Sequence, residues 1–289
     1  MAIRIIIDSA SDYTKEEAER EGMLFVPMGV AFEEDAYLDG VNLTKEEFYD
    51  RLIERGENPV SSQPSPQHLM EAFQTVVDAG DYGILLTMGS SLSGTYQTAK
   101  LIADEYDGRI AVIDSETISV AERLLARTAI QIAREASSLE EAVEAIRDKI
   151  RHLYFFGYMD QLEYLKRGGR ISPAMNFMAN LFSVKAIIYI YNNTFELYKR
   201  ARGKQKGWME LAKILREKAR IQRDSVLFGY TGHSDRYPKE FMRQYPELAV
   251  SEENIFPIGP TIGTHAGPGA LAVAFFADPD DELGNRTRE

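Results

Sequence analysis

The sequence predicts an α/β fold, a parallel sheet wrapped by helices. Two observations carry that prediction. Short apolar runs alternate with capped amphipathic stretches through the first half, and two of the runs end alike, in IIIDSAS and AVIDSET. With 289 residues, 44% of them hydrophobic, the chain is long enough for two cores, so two domains are expected.

The elements follow in order. Ile3 to Ile7 is a strand, and Thr14 with Glu17 has the spacing of a capping box that opens a helix. A strand around Leu24 to Phe32 comes next, then a second Thr44/Glu47 box. Ser65-Pro66 is a cap followed by a first-turn proline. Strands at Ile84 and at Ile110 to Ile113 precede helices near 118–136 and 139–152. The repeated endings put Asp8-Ser9 and Asp114-Ser115 at the carboxyl edge of the sheet, where open α/β sheets bind ligands; holding loop backbone is the competing role for both aspartates. After residue 152 the texture changes to LYFFGYM, a short capped helix DQLEYL and the glycine-rich KRGGRIS, so the domains are set at 1–152 and 153–289. VKAIIYIY and FELYKRAR flank Asn192-Asn193 as a β-hairpin, and strands are expected at Val226 to Tyr230 and Ala270 to Phe276.

Composition removes several classes of function. The absence of cysteine excludes disulfides, thiol catalysis and cysteine-ligated zinc, and His68, His152, His233 and His265 show no metal spacing. The apolar start of the chain is too brief for a signal-peptide core and no run approaches a membrane span, so a cytoplasmic protein is expected. A net charge of −12 argues against nucleic acid as a general partner. The charge is unevenly spread, however. Residues 166–223 hold fourteen Lys and Arg against three Glu, a balance of +11 that leaves −23 for the rest. That segment is either a docking face or the solvated side of a strand and a helix.

One stretch points to chemistry. GSSLSGTYQTA, residues 89–99, follows an apolar strand and opens a helix, and its glycines have the frame of a phosphate loop. Thr95 stands where that loop needs lysine, so a nucleotide is not the expected ligand. Free N–H groups beside the hydroxyls of Ser93 and Thr95 suit a small anion such as a carboxylate, unless Ser93 simply caps the helix.

IIIDSASD, VSSQPS, GSSLSGTYQTA, LEYLKRGGRIS and IGPTIGTHAGPGALAVAFF, in this order and spanning nearly the whole chain, resemble the DegV family of bacterial fatty-acid-binding proteins. The resemblance implies two α/β domains with a fatty acid between them. It implies a carboxylate held by Ser61, Ser62, Ser93 and Thr95 with His265 nearby, and Arg170 at the entrance or on a partner surface. It further implies a non-catalytic carrier with no cofactor besides the lipid, serving an ATP-dependent fatty acid kinase that makes acyl phosphate, and then an acyltransferase, with only transient membrane contact. The apolar segment PAMNFMANLFSV, with Met175, Met178 and Phe182, is either core or pocket wall. Arg170, Arg200 and Arg202 are the expected partner contacts. The chain departs from the family in having Ser61-Ser62 for the usual Thr-Ser, in lacking glycine in ISVAERL, and in having Ala186 for a usual proline.

Two rivals stand beside that reading. One makes Asp8, Asp114 and Ser93 a hydrolase or phosphatase site, without the support of a nucleophile elbow. The other makes the basic segment a nucleic-acid patch.

Overall fold

The computed structural model describes residues 1–171, 185–191, 193–218, 220–248 and 250–278. Its strands in chain order are β1 Ile3–Asp8, β2 Leu24–Val26, β3 Gly29–Phe32, β4 Asp35–Leu38, β5 Pro59–Ser62, β6 Tyr82–Thr87, β7 Ile110–Asp114, β8 Leu153–Met159, β9 Lys185–Tyr191, β10 Thr194–Ala201, β11 Leu227–Tyr230, β12 Ile255–Pro257 and β13 Leu271–Phe276. The helices are α1 Lys15–Arg20, α2 Lys45–Tyr49, α3 Pro66–Asp78, α4 Thr95–Ala103, α5 Ser119–Glu135, α6 Leu139–Ile150, α7 Glu163–Arg167, α8 Lys204–Lys213, α9 Arg236–Gln244 and α10 Pro260–Ala266. The fold class is α/β, as the alternating pattern requires.

Three sheets result. A parallel sheet runs β2-β1-β6-β7, a small antiparallel one β4-β3-β5, and a six-stranded one β10-β9-β8-β13-β11-β12. Alternation along β1 explains the layers of the first: Ile5 and Ile7 pack with Leu125, Ala129 and Ile146 of α5 and α6, while Ile6 packs with Leu69, Phe73 and Ala99 of α3 and α4. The same period splits β8. Tyr154, Phe156 and Tyr158 face Trp208 and Phe241, whereas Phe155 and Met159 face Val120, Leu124 and Ile258. That second cluster joins the two larger sheets.

Local signals are realised with some changes. Thr14 and Glu17 form the reciprocal box, Thr44 accepts from the Glu47 amide, and Ser65 caps α3 ahead of Pro66. The strand expected over Leu24 to Phe32 is two strands in different sheets. Pro27, which has no N–H to give a ladder, stands at the break, and the Met28 amide turns to Ser9 Oγ at 3.0 Å. The helix in DQLEYL is confined to Glu163–Arg167 and has no side-chain cap, because Asp160 pairs instead with Lys185 and accepts from the Tyr158 hydroxyl. Tyr106 lies just past the end of α4 in a short 3₁₀ turn. Among the described residues no helix is long and apolar enough to cross a membrane.

Both repeated aspartates hold backbone. Asp8 accepts from the amides of Ala10 and Met88 at 2.9 and 3.0 Å, and Asp114 accepts from those of Ser90 and Glu116 at 3.1 and 2.9 Å. Asn193, at the tip of the β9–β10 hairpin, also donates to Asp114 and to Ser90 Oγ. The hairpin tip is thereby tied to the loop after β6.

Beneath these loops lies Glu122, fully buried, with neither carboxylate oxygen hydrogen-bonded. Burial first, then the neighbouring Asp8 and Asp12, push its carboxyl well above the usual range. Burial also raises Asp8 to about 7 and Asp39 to about 6. A folded pKa above the unfolded one means that the folded state keeps a proton the unfolded state releases. Stability from such a group is full below about pH 4 and is lost as pH rises through the folded value, at up to about 1.4 kcal/mol per pH unit. Glu122→Gln, which has no proton to lose, should therefore show a shallower fall in unfolding free energy between about pH 5 and about pH 8 than the parent. Urea denaturation across that range checks the slope.

Candidate functional site

A cavity with an empty volume of about 730 Å³, including the part of its mouth open to solvent, lies between the parallel sheet and the six-stranded sheet. Its walls are mostly apolar: Met28, Met88 and Leu92 come from loops of the first sheet, and Phe155, Ile188 and Phe195 from the second. Gly157, between Phe155 and Met159 on the cavity face of β8, leaves the middle of that wall without a side chain.

Polar groups gather where several loops meet. Ser61 and Ser62 end β5, an edge strand of the small sheet; Ser93 precedes α4; Arg170 follows α7; Thr261 and His265 lie on α10. Ser61 Oγ is 2.7 Å from His265 Nε2. Arg170 donates to the carbonyls of Leu92 and Gly168, at 3.1 and 2.6 Å, so the cation bridges the Ser93 loop and the turn after α7. Ser93 Oγ is 2.8 Å from Thr95 Oγ1 and accepts from the Thr95 amide at 3.3 Å.

The histidine is neutral in this setting. Burial first and the nearby Arg170 cation second lower it to about 4, so at neutral pH it is a hydrogen-bonding imidazole and the guanidinium is the local charge. Its room is made by glycine. A Cβ on Gly168 would fall 2.0 Å from His265 Nδ1, and one on Gly267 would fall 2.2 Å from the Tyr164 ring at a backbone φ of +66°.

The sequence of residues 2–278 matches the family described as "Uncharacterised protein, DegV family". The chain belongs to the DegV family. A DegV domain-containing protein of Caldanaerobacter subterraneus is 32% identical over 281 residues, covering 94% of this chain and 98% of that one. Among solved structures, a fatty-acid-binding DegV family protein of Thermus thermophilus superposes with a TM-score of 0.83 at 27% identity, covering 96% of this chain and 100% of its own. A stearic-acid-binding protein of Eubacterium ventriosum does so with a TM-score of 0.80 at 26% identity, over 95% and 98%.

Of the residues expected at a DegV site, Ser61, Ser62, Ser93, Arg170 and His265 all line the cavity. Thr95 does not. It is fully buried behind Ser93, with its hydroxyl committed to that serine, and Gly94 rather than Ser93 is the N-cap of α4. Met175, Met178 and Phe182 lie outside the described residues. Arg200 falls within β10 and Arg202 just beyond it, exposed; neither lines the cavity. Much of the basic segment is paired with acids of the chain, Lys185 with Asp160, Lys199 with Glu210, Lys204 with Glu240 and Arg216 with Glu247.

Sequence reasoning missed the apolar wall. The alternation of LYFFGYM separates the two faces of β8 but does not tell which of them borders a cavity. Met28 and Met88 carried no signal. Gly168→Ala should displace the His265 ring and break its contact with Ser61, since α-helical backbone at this position leaves the clash as the only strain. A loss of roughly 1–3 kcal/mol in stability is expected, with the His265 pKa moving up toward the ordinary value of about 6.5 as the ring leaves its site. Denaturation and NMR titration of the histidine read the two effects separately.

Proposed function

We propose that this chain binds one long-chain fatty acid and presents its carboxylate to an ATP-dependent partner kinase, which converts it to an acyl phosphate for phospholipid synthesis. The observation that carries the reading is an apolar cavity with Ser61, Ser93, His265 and Arg170 gathered in its wall. Fatty acid binding by structural relatives that share the fold along nearly their whole length supports it.

In this reading the two parts of the ligand are bound by different forces. Burying about fourteen methylenes is worth roughly 11 kcal/mol before the costs of association, against about 1.5–3 kcal/mol for each hydrogen bond to a charged group. The tail supplies affinity and the polar end supplies orientation. Neutral His265 donates through Nε2 to Ser61 Oγ, which frees the serine hydrogen for the carboxylate; Ser93 donates a second, and Arg170 offsets the charge. The chain acts as a carrier without catalysis of its own, and burial shields the acyl phosphate from water until an acyltransferase takes it.

The geometry favours this over a hydrolase. Asp8 and Asp114 are occupied with backbone amides, and neither lines the cavity with Ser93.

Organic extraction of the purified protein followed by mass spectrometry should release about one fatty acid per chain, and protein that neither carries lipid nor takes it up refutes the reading. Ser93→Ala should cut acyl-phosphate formation by a supplied kinase far more than lipid binding, since one hydroxyl is small beside the tail; equal large losses in both would contradict that division.

Docking of the kinase is assigned to the basic segment around Arg200 and Arg202. Arg200→Glu with Arg202→Glu should leave bound lipid and melting temperature nearly unchanged while slowing kinase association, and the parent rate should fall as salt rises past the screening length of about 10 Å at about 0.1 M. Surface plasmon resonance at two salt concentrations measures it.

A further inference from the structure

A second cavity borders the first. It is a crevice of about 1030 Å³, likewise including the space open to solvent, where β8 and β9 part company: their pairing begins at Phe156 and Tyr189, so the start of β8 and the end of β9 diverge. Leu153, Tyr154 and Ile190 line its apolar side, and Ser115, Glu116 and Asn193 its polar side. Phe155 is the one described residue common to the linings of both cavities.

The position of Phe155 along its strand fixes its relation to the ligand. Phe155, Gly157 and Met159 alternate on the cavity face of β8. At about 3.3 Å per residue, Phe155 is about 13 Å from Met159, the end of the strand that leads into α7 and on to Arg170. The carboxylate-binding end therefore lies toward Met159, and Phe155 stands at the opposite end of the channel. Phe155 is 8% exposed, and its ring centroid lies 6.5 Å from that of Phe195.

We propose that Phe155 is the end wall of the acyl channel, and that the crevice behind it is an annex able to take the terminal carbons of longer chains once the ring is removed. The inference rests on the fatty acid reading above and adds a residue that sets acyl chain length. The ring blocks a straight tail at the point where β8 and β9 diverge. Beyond it Leu153 and Ile190 continue the apolar surface, and the polar side at Ser115, Glu116 and Asn193 bounds how far an extended tail can go. Each methylene newly buried in the annex raises affinity about fourfold.

The test uses delipidated full-length protein, as the parent, Phe155→Leu, Phe155→Ala and Phe155→Ala with Ile190→Phe. Each is offered an equimolar mixture of saturated fatty acids of about 14 to about 24 carbons, and the retained lipids are extracted and quantified by mass spectrometry. The parent should show a sharp upper limit of chain length. Both single variants should move that limit to longer chains, with retention just above the parent limit rising about tenfold or more. Phe155→Leu keeps most of the buried volume and so carries the test if Phe155→Ala does not fold. Refilling the annex through Ile190→Phe should restore the shorter limit, which mere loosening of the core would not do. Retention profiles that superimpose across parent and single variants overturn the proposal, as does a parent with no upper limit. A parent that binds no fatty acid at all overturns the proposed function as well, so the two failures are distinguishable.

Discussion

Asp12 holds together the segments on which the cavity depends. Its carboxylate accepts from the Ser119 hydroxyl and from the Gly259 amide at 2.8 Å, and its carbonyl accepts from Lys45 at 2.7 Å and from Arg123 at 3.0 Å. One buried residue thus fastens α2, the start of α5 and the entry to α10. Burial raises the Asp12 carboxyl above its usual range, and the nearby Lys45 and Arg123 cations and the two donors oppose that shift. Asp39 does similar work on the same helix, accepting from the Thr261 amide at 2.9 Å. Since Ser119, Thr261 and His265 all face the cavity, the carboxylates beneath it hold its floor in place. A cavity between two layers forfeits packing on every wall, and rigid support from behind is what keeps those walls from collapsing together.

Ser119 shows how an unfavourable backbone conformation is accommodated. It takes a left-handed φ of +58°. A serine in this region is strained, and the hydroxyl bond to Asp12 offsets that strain with an interaction glycine lacks. Arg123, one turn further on, stacks on Tyr13 and Phe256 at 3.8 and 4.2 Å and pairs with Glu17, so the start of α5 is fixed on several sides.

The polar end of the cavity keeps its charge economical. Among the described residues only Arg170 brings a formal charge to the lining, and it already rests on two carbonyls; His265 is neutral because burial and the guanidinium both oppose its protonation. A single cation matches a single carboxylate. Two would leave an uncompensated buried charge whenever the site is filled, which costs far more than one hydrogen bond returns. The charge balance read from the sequence was less informative here, since it counts cations without showing that Lys185, Lys199, Lys204 and Arg216 are each neutralised by an acid of the same chain.

The sequence by itself determined the fold class and the caps of α1, α2 and α3, while only the resemblance to the DegV family pointed to Ser61, Ser62, Ser93, Arg170 and His265. Fold class and caps are short-range matters: period and capping spacing act within a few residues and leave their mark on the string. Tertiary structure alone decided that Thr95 stands behind Ser93, that Asn193 clamps the loop after β6, and that the strand at Leu24 to Phe32 divides between two sheets. It alone decided the cavity wall. Met28, Met88, Phe155 and Phe195 are apolar residues in apolar surroundings, and whether such a residue faces a neighbour or an empty channel depends on where a partner sheet from a distant part of the chain comes to rest. Hydrophobic burial is not directional, so no pattern in the sequence separates a filled core from a hollow one.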